Sequence, residues 1–164
     1  METIDYLYPE EKGEMYHLLI EQLKAMLDGE PHLLPNLSNA SALLKLALKD
    51  INWVGFYLMK EEELLLGPFQ GKPACIHIPI GKGVCGTAVA LATAQLVRDV
   101  HEFPGHIACD SASRSEIVLP LYSEGVIKGV LDIDSPIIGR FDEEDLAGLE
   151  AFAAELTKGC NWAL

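Results

Sequence analysis

The spacing of apolar residues changes along the chain, and this change limits the possible folds more than any other feature. Residues 10–28 carry apolar side chains at helical spacing, and a glycine and a proline end that pattern. A second helix is predicted from about residue 38 to residue 49, with Asn36 or Ser38 as its N-cap. The chain therefore begins with two predicted amphipathic helices.

The segments that follow are aromatic, β-branched or alternating, which is typical of strands. They comprise residues 53–59, 64–67, 75–80, 96–100, 117–121 and 126–133. The last two predict a β-hairpin, and a final helix is predicted to begin at Asp142 with Asp145 as its capping partner. Helices around a block of strands predict one α+β domain over residues 1–164, with a mostly antiparallel central sheet and flanking helices.

Composition excludes several classes of function. Of the 164 residues, 49% are hydrophobic, and the formal net charge of −13 would repel both nucleic acid and anionic lipid. The first residues are acidic and lack a secretory pattern, and no apolar run approaches the roughly 18 residues that span a bilayer. We therefore expect a cytoplasmic protein that binds neither nucleic acid nor membranes.

A glycine-rich segment invites comparison with nucleotide-binding proteins. Gly81, Gly83 and Gly86 have the spacing of the dinucleotide fingerprint, and Asp99 ends the next predicted strand. The helix predicted near residues 87–94 is short, however, and the later strands form a hairpin instead of βαβ units. We interpret the segment as a structural turn in which glycine supplies positive φ.

The chain contains cysteines at positions 75, 85, 109 and 160. In a reducing compartment, cysteines are more often catalytic, redox-active or metal-bound than structural disulfides, although a single one is commonly a buried apolar residue. Cys75-x-His77 and His106-x-x-Cys109 could supply zinc ligands, but the chain has no Cys-x-x-Cys pair. We expect no metal site, and Cys160 is interpreted as incidental.

Polar residues follow in an irregular segment and in the hairpin. Residues 101–115 have little periodicity and are predicted to form a long loop around Cys109, and long loops often carry function. Glu116 comes next, and Asp132 and Asp134 lie at alternate positions of the last predicted strand, so they share a face. The pattern indicates either a solvated sheet face or a polar cluster at one rim of the sheet.

Several segments together resemble the free methionine-(R)-sulfoxide reductases. They are NWVGFY at 52–57, ACIHIPIGKGVCGTA at 74–88, DVH at 99–101, GHIACD at 105–110, SEIVLP at 115–120 and GVLDIDS at 129–135. The resemblance runs from about residue 53 to residue 155. It implies the fold of GAF domains, which more often bind small ligands and signal, so a non-catalytic sensor is the alternative reading.

The resemblance also implies roles for individual residues, and it implies no cofactor. Cys109 matches the family's catalytic cysteine, and Cys75 and Cys85 match its other redox cysteines. The residues that match the substrate pocket are the acids Glu116, Asp132 and Asp134 and the aromatic residues Trp53 and Tyr57. Three cysteines together with three acids favour an enzyme, because a sensor needs no redox relay.

The expected reaction is thiol-dependent reduction of free methionine-(R)-sulfoxide, with thioredoxin as the external reductant. A sulfenic acid on Cys109 would condense with a second thiol, and Cys75 is the first choice because it lies on a predicted strand. Cys85 is the second choice. Its position at a helix start is expected to lower its pKa, which would suit it to accept the disulfide by exchange or to pass it on to thioredoxin. The sequence leaves the oligomeric state open, and a homodimer is one of the states that it allows.

Overall fold

A computed structural model describes residues 7–163, so the acidic N-terminal residues on which the secretory argument rested lie outside the described part. Six antiparallel strands form one sheet in the order β3-β2-β1-β6-β5-β4. The strands are β1 (Trp53–Lys60), β2 (Glu63–Gln70), β3 (His77–Pro79), β4 (Gln95–Val97), β5 (Ser115–Ser123) and β6 (Val126–Ser135). The helices are α1 (Lys12–Leu27), α2 (Leu33–Ala47), α3 (Gly83–Leu91) and α4 (Glu143–Gly159). The α+β prediction is confirmed.

The two faces of the sheet have different partners because side chains alternate along each strand. Val54 and Phe56 of β1, with Leu131 of β6, pack in the larger core against α1, α2 and α4. Trp53 and Tyr57, one residue out of phase, belong to a smaller cluster that includes residues of α3. The acids that the sequence placed on one face of β6 lie on this second face.

Several boundaries differ from the sequence predictions. Helix α2 begins at Leu33 with His32 as its N-cap, and no side chain caps it. Asn36 is instead buried within the first turns, where its amide donates to the carbonyl oxygen of Glu30. Asn36 is therefore not the N-cap that the sequence predicted; its side chain binds the α1–α2 connection to the helix.

The two short strands are also shorter than predicted. β3 covers only His77–Pro79, so Cys75 precedes the strand. β4 ends at Val97, and Val100–Glu102 form a 3-10 turn. Among residues 7–163, no helix combines the length and the apolar composition that a membrane crossing requires.

Helix α4 begins as predicted, with a capping box between Asp142 and Asp145. Asp145 is fully buried and also joins α4 to α1. Its carboxylate accepts hydrogen bonds from the Tyr16 hydroxyl at 2.7 Å and from the Lys12 ammonium at 2.8 Å. Arg140 lies 3.4 Å from the same carboxylate, so the buried charge is balanced.

We predict that Tyr16→Phe lowers the free energy of unfolding by about 1–3 kcal/mol, because it leaves a buried carboxylate oxygen short of a donor. Tyr122→Phe is the matched control, since the exposed Tyr122 hydroxyl also donates one hydrogen bond, to the carbonyl of Ala92 at 3.1 Å. Urea unfolding followed by circular dichroism measures both variants. Equal losses in the two would contradict a special role for the buried contact.

Candidate active site

The hairpin of β5 and β6 brings the three predicted acids together. Its antiparallel register pairs Glu116 with Asp134 and Val118 with Asp132, so the three carboxyl groups share one face. Two of them are buried, since Glu116 and Asp132 are each 6% exposed, and Asp134 is half-buried. The structure therefore gives a polar cluster inside the molecule and not a solvated sheet face.

Burial favours the protonated form of these carboxyl groups. Removal from water raises the pKa of Glu116 well above 4.5, and the charges of Asp132 and Asp134 raise it further. Burial also raises the pKa of both aspartates, although hydrogen bonds to each from Glu116 act in the opposite direction. Glu116 is thus the donor within the cluster, and Asp132 accepts from both Glu116 and Cys85.

Cys75 and Cys109 form a disulfide, with Cα atoms 5.9 Å apart. This distance is within the range of roughly 4.4–6.8 Å that an unstrained bridge needs. Cys109 is exposed and Cys75 is half-buried, so the bridge lies at the surface, and Cys109 lines a cavity together with the three acids.

Cys75 is held in place without lying on a strand. The Tyr57 hydroxyl donates to the carbonyl of Cys75 at 2.9 Å, and the Trp53 indole N–H donates to the carbonyl of Lys72 at 3.2 Å. Gly71 has φ +144°, and a Cβ there would overlap the Trp53 ring, so the chain passes directly over the indole. The two aromatic side chains of β1 therefore position the segment that carries this cysteine.

Cys109 lies in an irregular segment, residues 103–114, which we call the Cys109 loop. Asn52, immediately before β1, donates from its amide nitrogen to Asp110 at 3.1 Å and to Ser113 at 3.0 Å. No role for Asn52 or Ser113 was predicted from the sequence. The signals were that Asn52 begins a segment that carries the family resemblance, next to Trp53, and that Ser113 lies in the predicted loop of Cys109.

Cys85 does not behave as predicted. Burial raises its pKa well above 9.0, and the charges of Asp132 and Glu116 add to this effect. The expected lowering by the start of α3 is wrong, because desolvation and acidic neighbours outweigh a helix end. Cys85 is a free, buried thiol that is hydrogen-bonded to Asp132.

The described residues contain one group that could hold a metal ion. Cys85, Glu116 and Asp132 place one potential ligand atom each within 4.8 Å of one another. The two pairs considered in the sequence are not available as zinc sites, since Cys75 and Cys109 are bonded to each other.

The three acids, Cys109 and the aromatic pair line one small cavity of about 40 Å³, partly open to solvent. Lys72 and Lys82 line it as well, and neither was predicted to belong to the site. His106 Nε2 lies 3.9 Å from Glu116, and burial lowers the pKa of His106, which favours its neutral form.

Comparisons with known proteins agree with this architecture. The GAF-domain family model matches residues 40–158. A protein of Escherichia coli (strain K12) named free methionine-R-sulfoxide reductase is 56% identical over 147 residues, which cover 90% of this chain and 89% of that protein.

Two solved structures are also similar. The reduced form of fRMsr of Staphylococcus aureus has a TM-score of 0.87 at 53% identity, covering 97% of this chain and 99% of that one. Free methionine-R-sulfoxide reductase from Neisseria meningitidis in complex with its substrate has a TM-score of 0.89 at 42% identity, covering 97% and 95%.

The fold and the cavity on one face of its sheet define a GAF-domain protein. Within that class, the chain belongs to the family of free methionine-R-sulfoxide reductases.

We predict that Glu116→Gln makes the protein more stable relative to wild type as the pH rises from 4.5 to 8. The folded protein retains a proton on Glu116 that the unfolded chain releases above about pH 4.5, so this group's contribution to stability is lost as the pH rises. Glutamine resembles the protonated acid and has no such pH dependence. Thermal midpoints at both pH values measure the difference.

The control is Glu150→Gln, which changes an exposed glutamate of α4. Its midpoint relative to wild type should change little between the two pH values. A constant difference for Glu116→Gln would mean that Glu116 carries no extra proton in the folded state.

Proposed function

We propose that this protein reduces free methionine-(R)-sulfoxide to methionine, with Cys109 as the attacking thiol. The observation that carries the proposal is that the exposed Cys109, bonded to Cys75, lines the same cavity as the acidic cluster. The family's reductases support the substrate assignment, since the Neisseria meningitidis enzyme is described in complex with its substrate.

A sulfoxide sulfur becomes electrophilic when its oxygen is protonated, so the reaction needs a thiolate on one side and an acid on the other. Glu116 is the group that we assign as the acid, because it is the proton donor of the buried cluster. The Cys109 thiolate attacks the sulfur while Glu116 protonates the oxygen, which gives an intermediate in which the two sulfur atoms are bonded. The hydroxyl group then transfers to the Cys109 sulfur as the S–O bond and the bond between the two sulfur atoms break, so that methionine leaves and Cys109 becomes a sulfenic acid.

Selectivity for the free amino acid follows from charge. We assign an ionised Asp132 to the substrate ammonium group, because its Oδ1 is buried without a hydrogen-bond partner. Lys72 and Lys82 line the same cavity and offer positive charge to the carboxylate. Asp134 completes the acidic cluster, and the stacked rings of Trp53 and Tyr57, 5.9 Å apart, form an apolar wall for the S-methyl group.

Regeneration requires two further steps. The Cys75 thiol condenses with the sulfenic acid and releases water, which forms the bridge that the structure contains. An external dithiol then reduces that bridge, and we propose thioredoxin in the cytoplasm because Cys109 is exposed to such a partner. We assign Cys85 no part in this exchange, since its thiol is buried. A homodimer is compatible with this cycle, because one protomer supplies every group.

We predict that the purified protein consumes the R epimer of free methionine sulfoxide and leaves the S epimer. N-acetylation should reduce kcat/KM at least about tenfold, because it removes a charge-assisted contact worth about 1.5–3 kcal/mol. NADPH oxidation coupled through thioredoxin and thioredoxin reductase measures the rates, with dithiothreitol as the alternative reductant.

Activity with dithiothreitol alone would contradict the thioredoxin assignment but not the reaction. Equal rates on the free and the N-acetylated sulfoxide would contradict the role of the acids in binding ammonium. Absence of turnover with every reductant would favour a non-catalytic GAF sensor.

We predict that Cys109→Ser abolishes turnover, whereas Cys75→Ser releases about one methionine per protein and then turns over only slowly in the thioredoxin assay. One equivalent of substrate without reductant should give mainly a Cys75–Cys109 bridge in wild type. Methionine quantification and peptide mapping measure these outcomes.

Cys85→Ser and Cys160→Ser are the matched controls, and both should still form the Cys75–Cys109 bridge. A dominant Cys85–Cys109 bridge in wild type would reverse the assignment of the resolving cysteine. Substantial activity of Cys109→Ser would remove the proposed nucleophile.

A further inference from the structure

We propose that Asn52 is a positioning residue that holds the Cys109 loop over the acidic cavity when the Cys75–Cys109 bridge is open. The proposal deepens the function proposed above and rests on it. Asn52 does not line the cavity, so it acts through the residues that it contacts and not on the substrate itself.

Asn52 joins two parts of the site. Its backbone N–H donates to the carbonyl of Asp134 at 2.9 Å, which fixes it to β6 beside the acids. Its side-chain amide donates across to Asp110 at 3.1 Å and to Ser113 at 3.0 Å. These partners lie on either side of the turn that follows Cys109 in the chain.

The chemistry of the partners fixes the orientation of the amide. The carboxylate of Asp110 accepts hydrogen bonds and has none to give, so the nitrogen of Asn52 must face it. The oxygen, Oδ1, is left buried without a partner. A buried carbonyl without a donor destabilises the fold, so this side chain is better suited to tethering the loop than to stabilising the protein.

Ser113 extends the tether to the acids. Its hydroxyl has a single proton, and accepting a hydrogen bond from Asn52 leaves that proton free to be donated to the Asp134 carboxyl. Asp110 in turn accepts from the N–H of Ala112 at 2.9 Å, which closes the loop's own turn. Asn52 therefore connects the acids to the Cys109 loop through Asp110 and Ser113.

The tether matters most after the bridge is reduced. The disulfide then no longer holds Cys109, and both Cys109 and the preceding Ala108 are exposed. The two side-chain bonds from Asn52 remain, because neither involves sulfur. They keep the thiol close to both the cavity and Cys75.

The test compares Asn52→Ala with Asn36→Ala. Asn36 is the matched control, since it is a buried asparagine whose amide donates to a backbone carbonyl far from the cavity. We expect Asn52→Ala to lower kcat about tenfold with little change in KM, because small displacements of a reacting group cost large factors in rate. Asn36→Ala should lower the thermal midpoint without lowering kcat.

A second readout does not depend on the substrate. The reduced proteins are mixed with diamide, and closure of the Cys75–Cys109 bridge is followed by quenching and mass spectrometry. We expect closure to slow about tenfold in Asn52→Ala and to be unchanged in Asn36→Ala. If the wild-type protein fails to reduce methionine sulfoxide, the proposed function is wrong. The closure rate with diamide still tests whether Asn52 positions the Cys109 loop.

Isosteric variants separate donation from packing. Asn52→Asp keeps the shape of the side chain but cannot donate a hydrogen bond to Asp110. Its rate of bridge closure should therefore fall as much as that of Asn52→Ala. Adding Asp110→Asn restores a donor opposite the new carboxylate and should recover part of the closure rate. The double variant with Ser113→Ala and Asn52→Ala should close its bridge only slightly more slowly than either single variant.

The proposal is overturned if Asn52→Ala closes its bridge and turns over at the rates of Asn36→Ala. It is also overturned if Asn52→Asp retains wild-type rates, or if the effects of the Asn52 and Ser113 variants simply add.

Discussion

The register between β5 and β6 determines where every acid of the site lies. With Glu116 opposite Asp134, and Trp53 of β1 opposite Asp134 on the other side, the carboxyl groups and the aromatic wall share one face. A slip of one residue would turn the acids into the apolar core beneath α1, α2 and α4. Burying ionised acids in that core would be strongly unfavourable. The apolar core therefore favours the register that places the acids on the opposite face of the sheet.

Residues of β1, and Asn52 immediately before it, bind the two segments that carry Cys75 and Cys109. Trp53 and Tyr57 hold the segment of Cys75 through its carbonyls, while Asn52 holds the Cys109 loop through its side chains. The two sulfur atoms thus come from irregular segments, yet each segment is tied to the central part of the sheet. A site on loops can in this way have the precision of a site on strands.

Part of this arrangement could be predicted from the sequence. Alternation along β6 predicted that Asp132 and Asp134 share a face, and the aspartate three residues into α4 predicted its capping box. The helix start near Cys85 gave the wrong direction for its pKa, because the sequence does not reveal that Asp132 and Glu116 lie against that thiol. Long-range placement of this kind depends on strand register, which local patterns do not specify.

The position of Cys75 is a second feature that the local sequence pattern did not predict correctly. The alternating residues 75–80 predicted a strand, but pairing with β2 extends only over His77–Pro79. The segment before the strand is held by other contacts: Tyr57 donates to the carbonyl of Cys75 and Trp53 donates to the carbonyl of Lys72, and the chain crosses the indole ring. The expected fixed position of Cys75 therefore arises from side chains on another strand.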